Sequence, residues 1–74
     1  MMHAPIKAID RTNDSLVRLP EVIRQTGLSR TTIYRKAKAG TFPAPEQMSD
    51  NAVGWWASDL AAWKAAPMMW RAAA

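Results

Sequence analysis

Seventy-four residues with no cysteine limit this protein to one domain around a single small core, without disulfide staples or thiolate metal sites. Its net charge of +4 is unevenly placed: Arg18 to Gly40 holds six basic residues and one acid, and the rest of the chain holds four basic and five acidic residues. That asymmetry suits a polyanionic partner; the stapled secreted scaffold is excluded, and a membrane span is too, because no apolar run approaches the ~20 residues one needs.

Residues 1–15 mix polar, small and charged types with no sustained period, and read as a flexible N-terminal arm. They hold no long apolar h-region, so a soluble, cytoplasmic protein is the expectation. His3 reads as a solvated terminal residue, and no metal site or cofactor is expected.

Leu16-Val17-Arg18-Leu19 has a β-branched centre and reads as a brief strand. The first helix follows over about Pro20–Thr26. Pro20 suits position N1, Glu21 favours the positive helix start, and Leu19, Val22 and Ile23 keep the i, i+3, i+4 spacing of a buried face. Gly27 stops it, and Leu28 is expected to pack inward.

A second helix is predicted over about Arg30–Ala39. Ser29 can cap its start through the hydroxyl, and Gly40 can close it in the left-handed conformation. At ~100° per residue, Arg30, Thr31, Tyr34, Arg35 and Lys38 share one side, while Ile33 and Ala37 point the other way. Two short helices joined by a turn of about three residues containing glycine have the spacing of a helix-turn-helix. A cationic, hydrogen-bonding face on the second helix suits a DNA groove.

Beyond Gly40, Pro43 and Pro45 forbid a helix, and Phe42 is a candidate core plug. Glu46-Gln47-Met48 and Ala52-Val53-Gly54-Trp55 flank the turn signal Ser49-Asp50-Asn51, so a small β-hairpin or wing is expected, packed on the helices and available to pair with the Leu16–Arg18 strand. Gly54 in its return strand suggests a bulge or a close backbone approach. Ala57–Ala66 is alanine-rich and reads as a third helix, with Ser58 and Asp59 at its start, Leu60 and Trp63 facing inward, and Pro67 ending it. Residues 67–74 form a short apolar tail.

Taken together, the RLPEV opening, the TGLSRTTIY segment, the GTFP turn, the VGW return strand and the SDLAAW helix resemble the AlpA family of small phage-type transcriptional regulators, which are related in fold to excisionases and to MerR-type DNA-binding domains. The resemblance covers about Leu16 to Ala66. It implies a winged helix-turn-helix fold, mainly α with three short helices plus a wing, and no catalytic activity. It also implies action on prophage or mobile-element DNA: regulating integrase or excisionase-type genes, or directing excision. Carried onto this chain, the recognition-helix residues would be Ser29, Arg30, Thr31, Thr32, Tyr34 and Arg35, supported by Lys36 and Lys38. Family wings often carry basic residues; this wing, about Glu46 to Trp55, holds Glu46 and Asp50 and no Lys or Arg, which leaves Gln47, Ser49 and Asn51 for hydrogen bonding and shifts the burden onto the helix.

Each candidate also has a plain structural role. Arg30 and Arg35 each suit a bidentate guanine pair or a phosphate, with phosphate favoured for Arg35, against the plain role of solvated arginines; Lys38 suits a phosphate, and Thr31 a thymine methyl or a phosphate. Tyr34 can donate to phosphate or pack in the core, and Lys36 lies off the cationic face. Trp55 and Trp63 are simplest as core. Trp56 and Trp70, with Met68 and Met69, form either a lid over the core or a surface for self-association or a partner. Two functions compete on these residues: a sequence-specific binder of double-stranded DNA, or a small interaction module working through its Met/Trp tail. No enzymatic activity is expected, because the chain offers no nucleophile–base set, carboxylate cluster, metal cluster or phosphate-cradling glycine loop.

Overall fold

The computed structural model describes residues 14–72. The elements follow in the order β1 (Leu16–Val17), α1 (Leu19–Thr26), α2 (Arg30–Ala39), β2 (Glu46–Ser49), β3 (Ala52–Trp56) and α3 (Ala57–Ala65). Three antiparallel strands in the order β1-β3-β2 complete a winged helix-turn-helix.

The helix-turn-helix is stitched by short-range bonds. The N–H groups of Glu21 and Val22 donate to the Arg18 carbonyl at 3.1 and 3.0 Å, so α1 begins one residue earlier than the Pro20 start predicted, and Pro20 occupies the second helical position. The shift is harmless, because neither of the first two positions needs a backbone donor. At the turn, the Gly27 N–H donates to the Ile23 carbonyl at 2.8 Å. The Thr26 hydroxyl donates to the Val22 carbonyl at 2.8 Å and accepts from the Leu28 N–H at 3.2 Å. Helix α2 has the predicted limits. Ser29 Oγ accepts from the Thr32 N–H at 3.2 Å, and Gly40 takes the left-handed conformation at φ 83°.

Strand β1 is shorter than the four residues predicted, because Leu19 enters α1. It pairs Leu16 with Trp56 and Val17 with Trp55. On the other edge of β3, Glu46 faces Gly54, Gln47 faces Val53 and Ser49 faces Ala52, leaving Met48 as a bulge. A Cβ at position 54 would lie 2.7 Å from Met48 Sδ, 3.1 Å from Leu16 Cβ and 3.3 Å from the Val17 carbonyl oxygen. Glycine there lets both neighbouring strands close on β3.

The core is Val22, Ile33, Phe42, Trp55, Leu60 and Trp63. Each element beyond β1 and β2 contributes at least one of these, and Phe42 joins from the loop after α2. Phe42 meets Trp63 edge to face, with centroids 5.0 Å apart. The Trp55 indole N–H donates to the Pro43 carbonyl at 2.9 Å, tying the sheet to the proline-bearing loop. The corresponding Trp63 Nε1 is buried with no partner.

Helix α3 ends at Ala65, one residue short of the prediction, and its start is capped differently. Its N-cap, Trp56, makes no side-chain cap bond. Asp14 supplies the cap across the chain: Oδ1 accepts from the Ser58 N–H at 3.1 Å and Oδ2 from the Ser58 hydroxyl at 2.6 Å. The Ala57 N–H also donates to the Ser15 carbonyl at 2.8 Å. Two residues of the stretch expected to form an arm are thus held on α3, and the remainder, His3 included, lies outside the described residues. In the tail, Trp70 packs against the core, whereas Met68 and Met69 are 84% and 78% exposed. Trp56 is half-buried.

Candidate nucleic-acid interface

The candidate interface starts with the backbone of α2. Its inward residue, Ile33, is fully buried, which fixes the rotation of the helix. Arg30, Thr31, Arg35 and Lys38 are consequently exposed. Thr31, Arg35 and Lys38 follow one another at i, i+4, i+7 and make a continuous outward stripe, with Arg30 at its N-terminal end.

Tyr34 occupies the border between this stripe and the core. Its ring meets the Trp55 ring edge to face with centroids 5.8 Å apart, and the Arg30 guanidinium carbon lies over the Tyr34 ring, 5.8 Å from its centroid. Of the two sequence readings of Tyr34, the ring takes the core-packing one; it also supports the Arg30 cation, a contact the sequence reading did not name. The chain of contacts Trp55–Tyr34–Arg30 restrains an arginine that would otherwise sample many rotamers, and a cation over an aromatic face adds about 0.5–1 kcal/mol at an exposed site.

The other expected residues sit apart from the stripe. Ser29 and Thr32 are engaged at the helix start, where the Ser29 hydroxyl donates to Thr32 Oγ1 at 3.0 Å in addition to accepting from the Thr32 N–H. Lys36 is half-buried on the flank of α2, off the cationic side, as its angular position implies. In the wing, Gln47, Ser49 and Asn51 are exposed, and the Gln47 amide donates to the Ser49 carbonyl across the bulge. Glu46 and Asp50 make the wing acidic, so it would meet a phosphate with repulsion rather than attraction.

Charge pairing decides how much of the positive segment is free to act outward. Arg24 is tied to Glu21 through Nε at 2.8 Å and through Nη2. The hydrogen bond from Arg24, helped by one from Gln25, holds the Glu21 carboxyl at about 2, below the ordinary carboxylate value of 4.5. Lys64 Nζ donates to Gln25 Oε1 at 3.1 Å, so Lys64 is drawn toward α1 rather than toward α2. Arg30, Arg35, Lys36 and Lys38 form no ion pair among the described residues. Arg24 was one of the six cations counted in this segment; the pairing removes it from the outward field and leaves the charge concentrated on α2.

Two features of this arrangement escaped the sequence. The Tyr34–Trp55 contact joins residues 21 positions apart, and no local periodicity announces it. The same is true of Asp14, whose capping partner lies 44 positions away. Among the described residues no three of His, Cys, Asp or Glu gather where they could hold a metal ion, and no helix is long and apolar enough to cross a membrane.

Residues 15–68 match the family described as prophage CP4-57 regulatory protein (AlpA). A curated relative, uncharacterized protein ORF88 of Enterobacteria phage P4, is 39% identical over 56 residues, which are 76% of this chain and 64% of the relative. The chain thus spans somewhat less than two thirds of that relative's length. No solved structure matches.

Proposed function

The chain belongs to the AlpA family of prophage regulatory proteins, and on that premise we propose that it is a sequence-specific binder of double-stranded DNA. In this reading α2 is the recognition helix. Arg30, steadied on Tyr34, reads a base edge or grips a phosphate near the helix start; Arg35 and Lys38 grip phosphate, and Thr31 contacts a thymine methyl or a phosphate. Ser29 and Thr32 hold the helix start in register, and Lys36 adds to the field without lying on the contact stripe. The wing tip, through Gln47, Ser49 and Asn51, adds at most neutral hydrogen bonds. The observation that carries the reading is the unpaired cationic stripe on α2 with Arg30 braced through Tyr34 against the buried Trp55.

The proposed task is regulation of integrase or excisionase-type genes, or control of excision direction, in the cytoplasm of a bacterial or phage-infected cell, at the nucleoid. It requires no catalysis and no cofactor. A single recognition helix gives a modest interface, so the reading includes self-association or cooperative binding on repeated sites. Footprinting across the neighbouring genomic DNA would give the site, its spacing and the copy number together. On that site an Arg30→Ala, Arg35→Ala variant is expected to stay folded and lose at least tenfold in affinity, in line with ~1–3 kcal/mol per specific arginine pair. Full affinity in a folded double variant overturns the reading.

A second reading rests on the exposure of Met68 and Met69. As an interaction module, the protein would dock a transcription or recombination protein through its tail. A Met68→Ser, Met69→Ser variant that binds DNA normally but no longer regulates would favour it.

A further inference from the structure

We infer that Arg71 is an additional phosphate-contacting residue, delivered to the C-terminal end of α2 by a fold-back of the tail. This rests on the DNA-binding reading above and extends the interface beyond the helix-turn-helix. After α3 the chain reverses: the N–H groups of Met69 and Trp70 both donate to the Ala66 carbonyl, at 3.0 and 2.9 Å. Trp70 then packs against the core. Two residues later the Ala72 N–H donates to the Gly40 carbonyl at 2.9 Å. Gly40 is the C-cap of α2, two positions beyond Lys38. Arg71 is therefore pinned on both sides, by the Trp70 anchor and by the bond to the end of the candidate recognition helix.

The side chain is exposed. Its bonds run from Nη1 to the carbonyls of Trp70 at 2.7 Å and Met68 at 3.4 Å, and no carboxylate of the described residues pairs with it. A guanidinium held only by neutral carbonyls gains by exchanging them for a phosphate, because charge-assisted bonds are roughly twice as strong. The wing, with Glu46 and Asp50, supplies no cation of its own. The tail supplies one beside the C-terminal end of α2, where Ala72 bonds to Gly40.

The test uses the full chain with Arg71→Gln and Arg71→Lys, two labelled duplexes of equal length (the footprinted site and a mixed sequence), and a salt titration. Arg71→Gln is expected to weaken both duplexes by a similar factor and to flatten the slope of log affinity against log salt by about 0.9. Arg71→Lys keeps the slope, because the charge remains. A merely structural arginine would behave otherwise: both variants would lower the melting temperature of the free protein and leave the slope unchanged, and that result overturns the inference. An unchanged slope for Arg71→Gln, with loss of affinity in the Arg30→Ala, Arg35→Ala variant, also overturns it while leaving the DNA-binding reading intact. Full affinity in that double variant overturns the reading itself and the inference with it.

Discussion

Trp55 and Trp63 are both buried indoles, yet their N–H groups fare differently. The Trp55 donor is satisfied by the Pro43 carbonyl, and the Trp63 donor has no partner. A satisfied hydrogen bond contributes about 0.5–1.5 kcal/mol, whereas a buried donor left unpaired costs about 1–3 kcal/mol. Substitution by phenylalanine removes ring volume at both positions, but at 55 it also removes a bond and at 63 it also removes an orphan. Trp55→Phe is therefore expected to be the more destabilising, by about 1–3 kcal/mol, in chemical denaturation followed by circular dichroism. Equal losses would mean that the Trp63 donor is satisfied in solution. Sequence reasoning placed both tryptophans in the core on size alone; which one had found a partner depended on a proline 12 residues away.

At the scale of elements, local signals located α2 completely. The cap serine, the closing glycine and the spacing of Ile33 against the basic residues all lie within one short stretch, and the hydrogen bonds that define the helix run between neighbours. Helix α3 is different. Ser58 and Asp59 looked like its own start signals, but the capping acceptor is Asp14. Asp14→Ala is expected to lose about 1 kcal/mol, the usual value of an N-cap side chain. Amide exchange should locate the loss, with the Ser58 N–H exchanging faster while the amides of α2 keep their protection. Uniform acceleration across the chain would show that the cap has no local effect. The tail follows the same rule: its composition marked it as apolar, and only the fold divides it into a half-buried Trp70 and two exposed methionines.

For the whole molecule the governing quantity is where unpaired positive charge lies. The count of basic residues in Arg18–Gly40 was available from sequence, but Arg24 belongs to Glu21, and Lys64 leans on Gln25. What remains outward on the contact stripe is Arg30, Arg35 and Lys38. If each neutralises one phosphate, these three contribute about −2.7 to the slope of log affinity against log salt for one bound copy, at about 0.9 each, and the proposed Arg71 contact brings the slope to about −3.6. Titration from low to physiological salt checks this, and a flat response would contradict an electrostatic interface. A much steeper slope would indicate more than one copy on the site or contacts beyond these four residues.

The sequence by itself determined the helix-turn-helix, the hairpin, the identity of the largest core residues and the cationic side of α2. Each of these is encoded in periods, caps and turn residues spanning a few neighbouring positions, which is the range over which the hydrogen bonds of a helix or a tight hairpin turn act. Tertiary structure alone decided that Tyr34 joins Trp55 to Arg30, that Asp14 caps α3, and that Ala72 closes on Gly40. Apart from the Tyr34–Arg30 step, which spans one helical turn, those contacts join residues 21 to 44 positions apart. They follow from burial in so small a core: Trp55 ties the sheet to the loop after α2, Asp14 is held on the start of α3, and Trp70 draws the tail back to the end of α2.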